Sequence, residues 1–208
     1  QFMDDAGMST IALRHAGHAE PRTNHHLVSL KFYLATWAST APGNPYGMPA
    51  APAADDGAIA LMDWDTLRAT VLSCQRCELH QDRTQAVFGV GHRDADWLII
   101  GEAPGADEDR LGEPFVGRAG QLLDQMLLAA GFRRNQVYIA NILKCRPPNN
   151  RDPKPDESAQ CRGYLERQIE LVQPKIILAV GRIAAQLLLE TDQPVGRLRG
   201  TTHQLGKT

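Results

Sequence analysis

The 208-residue chain has no run approaching 18 consecutive apolar residues, and its longest apolar stretch, around Ile176 to Val180, is of strand length. No membrane span is expected. The opening segment QFMDDAGMST carries neither a cationic region nor an apolar one, so no secretory signal is read there and a cytoplasmic location is expected. A strong basic excess is also missing. The formal net charge is −2 with 22% charged and 43% apolar residues, an ordinary soluble composition that neither supports nor excludes a nucleic-acid partner. Any attraction for phosphates would have to come from a local patch. No internal repeat is present. Cysteine is scarce, at four residues. In a cytoplasmic chain these ask for a metal or catalytic explanation before a disulfide.

The length suffices for one full hydrophobic core. Residues 1–60 read as an extension: a short helix is placed around Leu27 to Trp37, and TAPGNPYGMPAAPAADDGA reads as a flexible Pro/Gly/Ala-rich linker. From Met62 the pattern tightens. Asp63 is positioned to cap a helix from Trp64 toward Leu72, with Leu67 and Val71 on one face, leading into Cys74 and Cys77. Trp97 to Ile100 reads as a strand that ends in the sharp loop Gly101-Glu102-Ala103-Pro104-Gly105, where ligands bind in open α/β sheets. Gly117 to Ala130 reads as a helix with Leu122, Leu123, Met126 and Leu127 on its apolar face and Gly131 as its stop. Val137 to Ile142 is the next strand, followed by a polar loop through Asn150. A helix opening at Asp156 puts Cys161 on the same side as Tyr164, Leu165, Gln168, Ile169 and Val172. Pro174, a strand over Ile176 to Val180 and a helix from Gly181 to Leu189 complete the pattern. Alternating strands and helices predict an α/β fold with a parallel, twisted sheet covered on both faces.

Cys74 and Cys77 have two residues between them and Cys145 and Cys161 fifteen, which uses all four. A CxxC at a helix end places two thiolates near one centre, and a loop and a helix can supply two more. Zinc and a [4Fe-4S] cluster both satisfy this count, and spacing does not separate them from each other or from buried free thiols.

The runs CQRCELH, GEAPGADEDRLGEPFVGRAGQLLD, YIANILKCRPPNNRDPKPDE, CRGYL and PKIILAVGR, in that order, resemble the iron–sulfur uracil-DNA glycosylases called family 4 over roughly residues 62–200. The resemblance implies a three-layer αβα sandwich with a central, mostly parallel twisted sheet and a [4Fe-4S] cluster on Cys74, Cys77, Cys145 and Cys161, in preference to zinc. It also implies hydrolysis of the N-glycosidic bond of uracil in DNA by a monomer acting on uracil-containing DNA. Glu102 and Asn141 would be catalytic. Gly101, Ala103, Glu108, Phe115 and Asn141 would line the base, with Phe115 stacking on it and Asn141 reading its polar edge. A carboxamide can pair with N3–H and O4 of uracil, whereas cytosine would leave partners unsatisfied. Lys144, Arg146, Arg151 and Lys154, against Asp152, form the local positive patch expected to meet DNA.

Two departures bear on this expectation. Residues 1–60 have no counterpart in the family pattern, so 61–208 is taken as the glycosylase-like domain. The ending TTHQLGKT lacks the family's His-Pro loop, and His203 is followed by Gln204. The domain is therefore expected to be incomplete at its C-terminal side, and the alternative reading is a catalytically impaired, cluster-containing DNA-binding protein.

Overall fold

The computed structural model describes residues 10–15 and 56–205. The proposed helix at Leu27 to Trp37 and most of the proposed linker lie outside the described residues. The strands are β1 (Thr10–His15), β2 (Val90–Gly91), β3 (Trp97–Gly101), β4 (Tyr138–Asn141), β5 (Ile176–Val180) and β6 (His203–Leu205). The helices are α1 (Asp56–Ile59), α2 (Trp64–Leu72), α3 (Leu79–Asp82), α4 (Ala106–Leu111), α5 (Arg118–Ala129), α6 (Pro155–Val172), α7 (Arg182–Leu189) and α8 (Val195–Leu198).

The sheet order is β2-β4-β3-β5-β1-β6. Its centre, β4-β3-β5, is parallel, while β2 pairs antiparallel with β4 and β1 antiparallel with β5. The mixed α/β architecture agrees with the sequence reading. The strand at Thr10–His15, within the proposed extension, was not anticipated.

The chain runs from β3 to β4 on one side, then returns past β3 to β5 on the other. Right-handed crossovers in opposite directions put the connecting helices on opposite faces. Side chains follow that geometry with period two. Leu98, Ile100, Tyr138, Ala140, Ile177 and Ala179 pack with Leu165, Ile169 and Val172 of α6 and Ala184 and Ala185 of α7. Ile99, Val137, Ile139 and Val180 pack with Leu123 and Leu127 of α5. Burial on both faces explains why these strands read as unbroken apolar runs.

Asp63 caps α2 as expected, its Oδ1 accepting from Thr66 N at 2.8 Å, and Leu67 and Val71 are fully buried. The face of α5 is narrower than expected: Leu123 and Leu127 are buried, but Leu122 and Met126 are 37% and 38% exposed. At 100° per residue, neighbours one position apart cannot both point into a flat sheet. Residues Gly120, Leu123 and Leu127 share the inward stripe.

A buried polar network crosses this core. Gln168 on α6, fully inaccessible, donates to Phe88 O at 2.9 Å and Tyr138 Oη at 3.3 Å, and accepts from Lys144 Nζ at 2.6 Å. Gln168→Leu strands several buried polar groups at once and should destabilise the fold by about 2–3 kcal/mol, measured as a lower Tm and urea midpoint.

Candidate active site

The loops that follow β3 and β4 meet because the two strands pair with Gly101 opposite Asn141. The pairing continues past the strand ends: Ile142 N donates to Gly101 O at 2.9 Å and Leu143 N to Glu102 O at 3.0 Å. A Cβ placed on Gly101 would lie 2.5 Å from Asn141 Oδ1 and 2.5 Å from Phe115 Cζ. The phenyl ring and the carboxamide therefore converge on Gly101, where the chain has no side chain. Asn141 is buried, and among the described residues its hydrogen bonds use the main chain, leaving the carboxamide without a protein partner.

Phe115 is held there against its own preference. Its φ of 54° is a left-handed conformation that costs a non-glycine residue on the order of 1 kcal/mol or more. Several contacts impose it. Glu108 Oε1 accepts from Val116 N and Gly117 N, both at 2.9 Å, and its Oε2 accepts from Gly105 N at 3.0 Å. Arg134 donates to the Pro114 carbonyl. Gly120 of α5 admits the Phe115 carbonyl, which a Cβ would strike. Glu108 thus stitches the Gly101–Gly105 loop to the strap carrying Phe115, and both its oxygens are occupied by main-chain amides.

Glu102 lies half-buried at the carboxyl ends of the parallel strands. Burial pushes its carboxyl above the usual range; Asp152 raises it further and Arg182, at the start of α7, opposes the rise. Arg182 Nη2 also donates to Asp152 Oδ2 at 3.0 Å. Asp152 and Arg182 escaped the sequence reading as a pair because one lies in the loop before α6 and the other at the start of α7, 30 positions apart.

The methyl of Ala103 packs beside Cys77, Cys145 and Cys161 with Leu79 and Leu143. All four cysteines line one cavity together with Arg76, Arg83 and Lys144. Arg83 Nη1 donates to Cys145 Sγ at 2.9 Å and its Nη2 to Leu72 O at 3.2 Å, tying the end of α2 to the loop after β4. Arg76 Nη2 pairs with Asp56 at 2.8 Å, whereas its Nη1 is buried with no partner among the described residues. Burial pushes the Cys77 and Cys145 thiols up and Cys161 up to about 12. Among the described residues no three His, Cys, Asp or Glu side chains are arranged to hold a single metal ion.

The expected positive patch is revised. Lys144 is 1% exposed and donates to Asn141 O at 2.8 Å and Gln168 Oε1 at 2.6 Å, with burial pulling it down to about 7. It faces the protein interior and cannot reach a phosphate on the surface. Arg151 is engaged by Glu157 in a two-pronged pair at 2.6 and 2.8 Å. Arg146 Nε holds Asn150 Oδ1 at 2.7 Å, and Lys154 is exposed. Among the described residues no helix is long and apolar enough to cross a membrane.

A family model described as the uracil DNA glycosylase superfamily matches residues 88–207. A type-4 uracil-DNA glycosylase of Archaeoglobus fulgidus is 46% identical over 145 residues, covering 68% of this chain and 73% of that protein. Another, of Thermotoga maritima, is 48% identical over 131 residues, covering 62% of this chain and 68% of that protein. A type-5 uracil-DNA glycosylase of Thermus thermophilus is 35% identical over 118 residues, covering 50% and 53% respectively.

The carboxyl pair near Arg182 gives a direct test of this geometry. Asp152→Asn removes the negative neighbour, so the pKa of Glu102 should fall, read by the titration of its side-chain carboxyl carbon in NMR. Because the folded pKa lies above the unfolded value, ionising Glu102 opposes folding: its stabilising contribution is present at low pH and lost as pH rises through the folded pKa. An unchanged Glu102 titration in Asp152→Asn would show that burial alone sets it.

Proposed function

Because this chain belongs to the uracil-DNA glycosylase superfamily, we propose that it hydrolyses the N-glycosidic bond of uracil in single- or double-stranded DNA, the first step of base excision repair. The observation that carries this reading is the convergence of Phe115 and Asn141 over Gly101.

A base inside a duplex is out of reach, so the nucleotide must be everted, most readily from a mismatch or a single strand. Phe115 offers a fixed flat surface, and stacking a base on it is worth about 1–3 kcal/mol. Asn141 turns an unpartnered carboxamide toward the polar edge, donating to O4 and accepting from N3–H of uracil. As the bond from N1 to the sugar breaks, negative charge spreads over the base. Donors for that charge are the N–H groups of Glu102 and Ala103, since Pro104 has none and the Gly105 N–H is taken by Glu108. The Glu102 carboxylate stabilises the positive sugar or orients the water that adds to it. The products are free uracil and an abasic site. Arg146 and Lys154 remain the outward cations of the original patch for backbone phosphates, while Lys144 and Arg151 act within the protein.

The four cysteines are proposed to hold a [4Fe-4S] cluster. A tetrahedral zinc site with bonds of about 2.3 Å needs sulfurs about 3.8 Å apart. A cluster takes four thiolates set more widely around it, and four thiols line one cavity here. Its negative charge suits the Arg83 donor on Cys145 and the unsatisfied Arg76 Nη1. Bound, the cluster supplies structural cross-linking of the α2 end, the loop after β4 and α6, with no open position for substrate.

Purified protein should cleave uracil-containing single strands and U·G duplexes, giving strand breaks after alkali, and should carry a broad visible absorption with acid-labile sulfide. Retention of DNA without breaks would point instead to a binding module. Asn141→Asp should lower cleavage by about 100-fold or more, since a charged acceptor faces uracil O4. Gly101→Ala forces Phe115 and Asn141 apart and should cost about 100-fold in kcat/KM with a native circular-dichroism spectrum.

A further inference from the structure

Lys144 touches both halves of the site. Its ammonium donates to the main-chain oxygen of Asn141 at 2.8 Å and to Gln168 Oε1 at 2.6 Å. Gln168 is itself fixed by Phe88 O and Tyr138 Oη, so the lysine head has a rigid seat. The same side chain lines the cavity shared by Cys74, Cys77, Cys145 and Cys161. It is 1% exposed, and the two oxygens to which its ammonium donates are both neutral. A buried cation without a counter-ion is costly, and a neutral residue would fill the space more cheaply. Cys145 is the next residue in the chain, and it and Cys161 border the same cavity as Lys144.

We propose that Lys144 is a positioning residue whose single ammonium both anchors the main chain of Asn141 and balances the charge of the cysteine-bound cluster, so that cluster site and uracil pocket share one cation. This rests on the assignment of the four cysteines to a cluster and of Asn141 to uracil. The coupling is short. From the sulfurs it passes through the lysine head to the carbonyl of Asn141, whose carboxamide stands over Gly101. Loss of the ammonium frees that carbonyl and tilts the carboxamide, and it also leaves the cluster's negative charge less well compensated.

The test compares wild-type holoenzyme with K144M and K144R. Three quantities are measured: affinity for free uracil, affinity for a duplex carrying an abasic site, and the midpoint potential for one-electron reduction of the cluster by dithionite. In K144M, uracil affinity should fall by about tenfold or more, the loss expected for one buried charged hydrogen bond. Abasic-site affinity should stay unchanged, and the midpoint should move negative because a nearby positive charge is gone. K144R keeps the cation but cannot place its planar head on both acceptors, so its midpoint should stay near wild type while uracil affinity drops. Should K144M not fold, K144R carries the test. A folded K144M with either uracil affinity or midpoint unchanged overturns the shared cation, as does a K144R midpoint as negative as that of K144M. A wild-type protein without iron, sulfide or colour fails earlier, on the cluster assignment itself.

Discussion

The parallel pairing of β3 with β4, in the register that sets Gly101 against Asn141, is the constraint on which the site depends. Two further main-chain bonds carry that register into the loops, so Glu102 and Leu143 leave the sheet side by side. A slip of one residue would turn Asn141 to the opposite face and put a side chain where Gly101 now makes room. The site is thus fixed by the stiffest part of the molecule, a strand pair buried on both faces, and its loops inherit that precision.

Around this pair the protein spends conformational energy locally. Phe115 is kept left-handed by Glu108, by Arg134 and by the missing side chain of Gly120. An acidic residue near a binding loop is easily taken for a pocket wall, and Glu108 was expected there. Its carboxylate instead organises the loop that presents the ring. The cysteine cavity lies behind the same loop, with Ala103 packed against it. The cysteine cavity and the proposed base pocket are therefore neighbours through one methyl group on one side and through Lys144 on the other.

Much of this was legible in the sequence. The cap at Asp63, the inward face of α6 and the three central strands follow from local chemistry and periodicity, and the structure has them. The CxxC and the count of four pointed to a shared metal or cluster site, whereas the choice of a cluster and the meeting of Phe115 with Asn141 came from resemblance, since residues so far apart in the chain carry no local signal of contact. Charge misled where burial decides its role. Lys144 sits in a run with Arg146 and Arg151 that looks like a solvated patch, yet the buried Gln168 and the Asn141 carbonyl draw it inward. Arg151 looked free until Glu157, six residues on, claimed both its nitrogens. Strand β1 was missed because TIALRH is short, stands apart from the other motifs, and finds its partner across most of the chain.

That partner imposes an order on assembly. Thr10 pairs with Val180, 170 positions away, and β6 in turn lies along β1. During synthesis the segment holding β1 precedes β5 by a long way and has nothing to join until β5 exists, and the entropy of closing so long a loop makes it a late arrival. The flank of the sheet beyond β5 is consequently finished last, by the earliest and the latest strands of the described chain together. A nascent protein can complete its β4-β3-β5 centre, where the loops carrying Glu102 and Lys144 originate, before that seam closes.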